Sequence, residues 1–219
     1  DSSITVSTSG TYSLVLTNAN GCSDSASVAV TVFSHPVAQI DSTGPLSFCS
    51  GDSVILRSAN SGNYQWFRNG AAVSTDSFIT VSTSGTYSLM LTNAKGCSDS
   101  ASVSVTVFNL PVAQIDSTGP LSFCSGDSVI LRSANSGNYQ WYRNGAAVST
   151  DSSITVSTSG TYSLVLTNAN GCSDSASVAV TVFSHPVAQI DSTGPLSFCS
   201  GDSVILRSAN SGNYQWFRN

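Results

Sequence analysis

Six cysteines recur at alternating separations of 27 and 48 residues, and their spacing points to a definite chemistry. They are Cys22, Cys49, Cys97, Cys124, Cys172 and Cys199. Regularly spaced thiols either bind a metal or form disulfides. A metal centre is disfavoured because the chain has no Cys-x-x-Cys pair and only two histidines, His35 and His185. We therefore predict disulfides in an oxidising compartment, and no metal or other cofactor.

The elements that position these cysteines follow an internal repeat of 75 residues. Residues 1–69 are identical to residues 151–219, and the copy between them differs at seven of 69 positions. Such a period predicts tandem modules. We assign the C-terminal part of one module to residues 1–35, two complete modules to 36–110 and 111–185, and the N-terminal part of another to 186–219. We expect the chain to be a segment of a longer array.

Charged residues are few and mostly acidic. Twelve Asp, six Arg and one Lys give a formal net charge of −5, and charged residues make up 9% of the chain. A globular protein ordinarily contains about a quarter. This composition predicts no nucleic-acid partner, because nucleic-acid binding requires a basic surface. It also lacks an apolar run of membrane-spanning length, so we expect no membrane insertion in this segment, and its Ser, Thr, Asn and Gly content is typical of an extended extracellular protein.

Apolar and polar residues alternate within each module at the period of a β-strand. Val54 and Leu56 fall on one side of one predicted strand, and Tyr87 and Leu89 fall on one side of another. Pro36–Ile40 is predicted to be the first edge strand, because proline cannot donate to a sheet ladder. The predicted fold class is all-β.

A Trp on a short strand closed by Asn-Gly marks each complete module. It lies in Asn63–Gly70, and the pattern returns at Asn138–Gly145. A buried Trp that pins two sheets, together with a Tyr whose hydroxyl bonds back to upstream backbone, is typical of an immunoglobulin-like β-sandwich. We therefore predict tandem immunoglobulin-like β-sandwich modules. Their core pins are Trp66, Trp141, Tyr87 and Tyr162.

Four stretches of the module carry a resemblance to a known family. They are Phe48–Val54, Tyr64–Trp66, Ser84–Tyr87 and Asn93–Cys97. Together they resemble the Ig-like repeats of very large surface adhesins of gliding bacteria, which are exported by the type IX route. The resemblance covers the whole chain, and it implies a place on the cell surface and a role in attachment or filament formation. The implied partners are neighbouring modules of the same array and further copies of the chain in a fibre.

The cysteines do not occupy the positions of the bridge in antibody domains. On an immunoglobulin topology, Cys49 and Cys97 lie at opposite poles of one module. Strand Ser53–Ala59 alone spans roughly 20 Å at ~3.3 Å per residue, whereas bridged Cα atoms lie within about 7 Å. We therefore favour a bridge between neighbouring modules, from Cys49 to Cys172. Bridges inside each module, Cys49 to Cys97 and Cys124 to Cys172, stay open as the alternative, because small secreted modules usually close on themselves.

Asp-Ser pairs recur at the predicted turns. They resemble the Asp-Ser/Thr-small acceptor triplet for O-glycosylation in the same group of bacteria. The candidate acceptors are Ser42, Ser53, Ser100, Ser117, Ser128 and Ser175. Glycans at these turns would help to keep a weakly charged surface soluble.

No nucleophile and general base can be paired in the sequence, so we predict that the chain is not an enzyme. The function predicted is a structural stalk or filament segment of an extracellular adhesin. The alternative is a carbohydrate- or surface-binding module for surface polysaccharide, which an aromatic platform exposing Tyr64 and Phe67 would favour. Phe67, Met90 and Ser104 fall on the outward phase of one predicted sheet and form a candidate lateral contact, although single exposed apolar residues are normal.

Overall fold

The computed structural model describes residues 2–218, in which strands, turns and bends are the only regular structure. The chain divides into two compact units, Asp1–Asn109 and Leu110–Asn219. The first unit holds residues 1–35 and the first complete module. The second unit holds the other complete module and the partial module that begins at residue 186.

Ten strands form the first unit. They are β1 (Gly10–Thr17), β2 (Ser23–Val30), β3 (Ile40–Ser42), β4 (Ser47–Cys49), β5 (Val54–Ser58), β6 (Asn63–Arg68), β7 (Ala71–Ser74), β8 (Phe78–Val81), β9 (Gly85–Thr92) and β10 (Ser98–Phe108).

Ten further strands form the second unit. They are β11 (Ile115–Ser117), β12 (Ser122–Cys124), β13 (Val129–Ser133), β14 (Asn138–Arg143), β15 (Ala146–Ser149), β16 (Ser153–Val156), β17 (Gly160–Thr167), β18 (Ser173–Phe183), β19 (Ile190–Ser192) and β20 (Leu206–Ser208).

Each complete module consists of a five-stranded and a three-stranded sheet. In the first unit the orders are β4-β10-β9-β6-β7 and β3-β5-β8, and in the second they are β12-β18-β17-β14-β15 and β11-β13-β16. Neighbouring strands are antiparallel, except that β4 runs parallel to β10 and β12 parallel to β18. The complete modules are therefore immunoglobulin-like β-sandwiches. The partial modules contribute two-stranded sheets, β1-β2 and β19-β20.

Both sheets of a module supply its core, because alternate residues of each strand point inward. The buried residues of the first module are Val54, Leu56, Trp66, Val81, Tyr87, Leu89 and Val105. Those of the second are the equivalent residues Val129, Leu131, Trp141, Val156, Tyr162, Leu164 and Val180. Burying each large apolar side chain contributes about 1.5–3 kcal/mol. The seven positions carry the same residue types in both modules, so each module has the same core.

The polar atoms of the core aromatic residues have hydrogen-bond partners. Trp66 and Trp141 are 0% exposed. The indole Nε1 of Trp66 donates to the backbone oxygen of Asp76 at 2.9 Å. The Tyr87 hydroxyl donates to the backbone oxygen of Thr83 at 2.9 Å, four residues upstream. These bonds let large aromatic side chains be buried without an unsatisfied donor.

The Asn-Gly pair after the Trp strand makes a tight hairpin to β7. Asn69 has φ 50° and Gly70 has φ 85°, which are the left-handed values that a type I′ turn requires at both central residues. The Asn69 side-chain oxygen also accepts a hydrogen bond from the backbone N–H of Thr86 at 2.9 Å. Strand β7 follows this turn, and the alternation pattern did not predict it because Ala71–Ser74 is an exposed edge strand.

The prediction of a strand at Pro36–Ile40 is wrong for most of that segment, since β3 begins at Ile40. Residues 36–39 are held by other bonds. Asn60 Nδ2 donates to the backbone oxygen of Val37 at 3.0 Å, and the Ala38 N–H donates to the Asp99 carboxylate at 2.9 Å. Side chains therefore take the place of a sheet ladder at the start of the module.

Candidate functional site: the module junction

Cys97 lies at the end of the hairpin that joins β9 to β10. The side-chain oxygen of Asn93 accepts hydrogen bonds from the backbone N–H of Lys95 at 2.9 Å and of Cys97 at 3.1 Å. Gly96 has φ +82°, a conformation that glycine adopts without strain. The local backbone therefore fixes the position of the Cys97 thiol.

The last residues of the preceding module lie against this hairpin. Asn93 Nδ2 donates to the backbone oxygen of Ser34 at 3.0 Å. The Cys97 sulfur lies 3.9 Å from the backbone oxygen of Phe33. Both contacts belong to the first unit, and they place the Cys97 thiol beside the end of the preceding module.

Two contacts at this junction depend on residues that differ between copies. The Lys95 ammonium lies 5.1 Å from the centre of the Phe33 ring, within the range of a cation–π interaction. His35 Nδ1 donates to the backbone oxygen of Ser98 at 2.9 Å. Asn occupies the Lys95 position at Asn20 and Asn170, and Leu110 occupies the His35 position. The junctions therefore share a backbone pattern while their side-chain contacts vary.

Asp99 ties the first residues of the module to the same hairpin. Its carboxylate accepts the hydrogen bond of the Ala38 N–H, and this bond, followed by that from the Ser100 N–H, lowers the pKa of Asp99 below its ordinary value. Desolvation acts in the opposite direction, and the charge of His35 adds a smaller lowering effect. The ionised carboxylate is thus the form that holds the segment.

Cys49 lies at the other end of the module, beside the end of β10. In the parallel pairing of β4 with β10, Cys49 is the partner of Phe108. The backbone N–H of Ser50 donates to the oxygen of Phe108 at 2.8 Å. Phe108 is therefore flanked by Cys49 of its own module.

The described cysteines have two oxidation states. Cys49 and Cys172 are disulfide-bonded. Cys22, Cys97, Cys124 and Cys199 are free thiols. Because Cys97 and Cys124 are free, the described residues contain neither bridge that would close a module on itself.

The second unit repeats the geometry of the hairpin. Asn168 Oδ1 accepts from the backbone N–H of Cys172 at 3.1 Å, and Cys172 is 1% exposed. The Ala113 N–H donates to the Asp174 carboxylate at 2.9 Å, and this bond is the main cause that lowers the pKa of Asp174. The anchor of the module's first residues is therefore the same in both complete modules.

The six candidate glycosylation serines are exposed in the structure. They are Ser42, Ser53, Ser100, Ser117, Ser128 and Ser175. Two of the hydroxyls are engaged locally, since Ser42 Oγ donates to the backbone oxygen of Gly44 and Ser117 Oγ to that of Gly119, both at 2.9 Å. These turn bonds are open to solvent.

Phe67, Met90 and Ser104 lie on one sheet but do not form one patch. Phe67 is opposite Ser88, two residues from Met90. Ser104 is opposite Thr86, four residues from Met90, which corresponds to roughly 13 Å along the strand. Nor is there an exposed platform of Tyr64 and Phe67, because Tyr64 packs against the core.

The described residues offer little for catalysis or membrane insertion. Among residues 2–218, no group of three or more His, Cys, Asp and Glu side chains could hold a metal ion. The same residues contain no helix that is long and apolar enough to cross a membrane.

Comparison with known sequences assigns one complete module to a family. The model of the family described as Ig-like domain, CHU_C associated, matches residues 111–186. This module belongs to that family. The other complete module differs from this CHU_C-associated Ig-like domain at seven of 75 positions, all outside the seven core residues. No curated protein is significantly similar to the chain.

Solved structures similar to the chain also contain tandem domains. Extracellular domains 3–5 of Drosophila OTK are 16% identical, with a TM-score of 0.45, over 80% of this chain and 71% of that one. An I-band fragment of titin is 14% identical, with a TM-score of 0.40, over 83% of each chain. A Ca²⁺-stabilised, ice-binding adhesin of an Antarctic bacterium is 13% identical, with a TM-score of 0.37, over 87% of this chain and 60% of that one.

Proposed function

We propose that this chain is a non-catalytic stalk or filament segment of an extracellular bacterial adhesin, in which disulfides between neighbouring modules carry tension past each junction. One relationship carries the proposal: cysteines of two successive modules flank the same phenylalanine position. The repeat unit is then also the unit of folding, with complete modules at residues 36–110 and 111–185.

The pairing of Cys49 with Cys172 is inferred from the repeat. Phe33 and Phe108 occupy the same position in successive modules, 75 residues apart. Cys97 lies against Phe33 from the following module, and Cys49 lies beside Phe108 from its own module. Transferring the Phe33 contact to Phe108 brings Cys172 beside Cys49. The disulfide-bonded state of these two cysteines supports the pairing.

A bridge at this position would change how the array responds to force. Each core cluster is contained in one module, so an unbridged array would extend by unfolding modules one after another. A covalent bond from Cys49 to Cys172 would carry the load around the 122 residues between them. Those residues could then unfold without lengthening the chain.

Single-molecule force spectroscopy tests this proposal. Pulled from its ends, the oxidised chain should reach a contour length shorter than that of the reduced chain by roughly 400 Å, the extended length of the enclosed residues. Cys172→Ser should give the reduced length under oxidising conditions, and the control Cys97→Ser should behave as the unchanged chain. The proposal is wrong if the oxidised and reduced chains reach equal lengths, or if Cys172→Ser keeps part of the shortening.

Electron microscopy of a longer array tests the stalk itself. We expect a continuous fibre with a regular rise per module, which loses its regularity when the disulfides are reduced. Modules that appear as separate beads on flexible connections under oxidising conditions would contradict a stalk.

A further inference from the structure

The partial module at residues 1–35 folds with its core open. Strands β1 and β2 pair along their full length, from Gly10–Val30 to Thr17–Ser23. Leu14 is 64% exposed and Leu16 is 70% exposed, whereas the equivalent residues Leu89 and Leu91 of the complete module are 0% exposed. The inward face of this hairpin therefore has no second layer.

A groove of about 510 Å³ lies over this face. Its apolar lining includes Ile4, Val6, Tyr12, Leu14, Val28 and Val30. The equivalents of Val6, Tyr12 and Leu14 are Val81, Tyr87 and Leu89, which belong to the core of the complete module. The groove is therefore half of a module core, exposed to solvent.

The partial module at residues 186–219 exposes the complementary half. Leu206 is 44% exposed and Trp216 is 51% exposed. Their equivalents, Leu56 and Trp66, are 0% exposed in the complete module. The two partial modules thus expose opposite sides of the same core.

We propose that the groove on residues 1–35 binds residues 186–219 of a second copy of this chain, so that the two halves rebuild one module between copies. Residues 1–35 are identical to 151–185, and residues 186–219 are identical to 36–69. Each half therefore already has a template for this packing within the chain.

The six residues missing between the two halves contribute nothing to the core. The equivalent segment, residues 70–75, supplies none of the core cluster, and its strand β7 lies at the edge of the five-stranded sheet. Three core residues come from the half before this segment and four from the half after it. A module assembled from two chains would lose an edge strand and keep its whole core.

The register of the rebuilt module follows from the complete one. Trp66 pairs with Leu89 between β6 and β9, so Trp216 of one copy would lie opposite Leu14 of the other. Val54 pairs with Val81 between β5 and β8, so Val204 would lie opposite Val6. Each copy offers one groove and one complementary half, which gives head-to-tail chains rather than closed pairs.

Sedimentation-velocity ultracentrifugation over a range of concentrations tests the association. Free thiols are alkylated first, so that Cys22 and Cys199 cannot cross-link copies. We expect the 22.5 kDa chain to form dimers and longer species as concentration rises. A chain that stays monomeric up to millimolar concentration overturns the proposal.

Matched variants locate the interface. Leu14→Asp and Trp216→Ala change inward positions, and each should weaken association about a hundredfold or more. Val15→Asp and Phe217→Ala change the adjacent outward positions and should leave association unchanged. Thermal melting of the complete modules should be the same in all four variants, because the changes lie outside both modules. Equal association by the inward and outward variants overturns the proposal.

A mixing experiment tests the polarity. A Leu14→Asp chain keeps its complementary half, and a Trp216→Ala chain keeps its groove, so the mixture should form heterodimers and nothing larger. Species larger than a dimer in the mixture would contradict head-to-tail pairing. The result is separate from the bridge in the proposed function, because Cys49 and Cys172 lie in the complete modules.

Discussion

The backbone N–H of Ala38 donates to the carboxylate of Asp99 at 2.9 Å, which joins the first residues of the module to the start of β10. Asp174 holds Ala113 in the same way in the second module. This contact fixes the entry of the chain into each sandwich, next to the hairpin that carries Cys97 or Cys172. It is also the contact most sensitive to acid.

Asp99→Asn should reduce the dependence of stability on acid pH. An unperturbed Asp has a pKa of about 3.9, and the hydrogen bonds to Asp99 lower its pKa in the folded chain. The stabilisation is therefore present above the unfolded-state pKa and is lost as pH falls through the folded-state pKa. Denaturant midpoints measured from pH 5 down to about pH 2 should fall less steeply in Asp99→Asn than in the unchanged chain. Asp52→Asn, which removes an exposed carboxylate on another loop, is the control, and equal slopes in the two variants would contradict this role.

Tyr87→Phe should destabilise the first module by about 1 kcal/mol, because it removes the hydrogen bond from the hydroxyl to Thr83 while keeping the buried ring. Urea denaturation gives the free energy of unfolding. Tyr142→Phe is the control: Tyr142 lies at a position where the other module has Phe67, so its hydroxyl is dispensable. A loss as large in Tyr142→Phe would show that the effect is not specific to the buried hydroxyl.

Leu89→Ala should destabilise the first module by about 2–5 kcal/mol, because it opens a cavity in the core. Met90→Val should change stability by less than about 0.5 kcal/mol. Met90 is 39% exposed, and the equivalent positions carry Val15 and Val165. Calorimetry of both variants measures the difference. Similar melting temperatures would contradict the inward and outward assignment of β9.

Protein isolated from its native host should carry glycans at the exposed Asp-Ser turns if these are acceptors. Intact-mass spectrometry should then give a mass above that of the 22.5 kDa polypeptide, in hexose-sized or related increments. Replacing the six candidate serines by Ala should abolish the excess. A native mass equal to that of the polypeptide would exclude the modification.

The inward positions of the strands could be predicted from sequence, because a single buried face leaves an alternation that does not depend on distant parts of the chain. Val54, Leu56, Tyr87 and Leu89 all follow it. Strand β7 could not be predicted this way, since an exposed edge strand has no such alternation. The segment at residues 36–39 was mispredicted because Asp99 and Asn60 side chains bind its backbone, and these residues are far away in sequence.

The contacts of the junction were also beyond the sequence. The contact of Cys97 with Phe33 joins residues 64 apart, and the hydrogen bond of His35 with Ser98 joins residues 63 apart. Neither has a local pattern. What the sequence does contain is the spacing of the cysteines, from which the bridge between modules could be proposed but not its surroundings.

Peptide mapping without reduction, after alkylation of free thiols, tests the bridge most directly. Cleavage after Lys and Arg releases Cys49 in residues 1–57, Cys97 with Cys124 in residues 96–132, and Cys172 in residues 144–207. We predict a linked pair of the first and third peptides, with residues 96–132 recovered alone and alkylated on both cysteines. Recovery of residues 96–132 linked to either of the other peptides would contradict the bridge between modules and the tension-carrying stalk built on it.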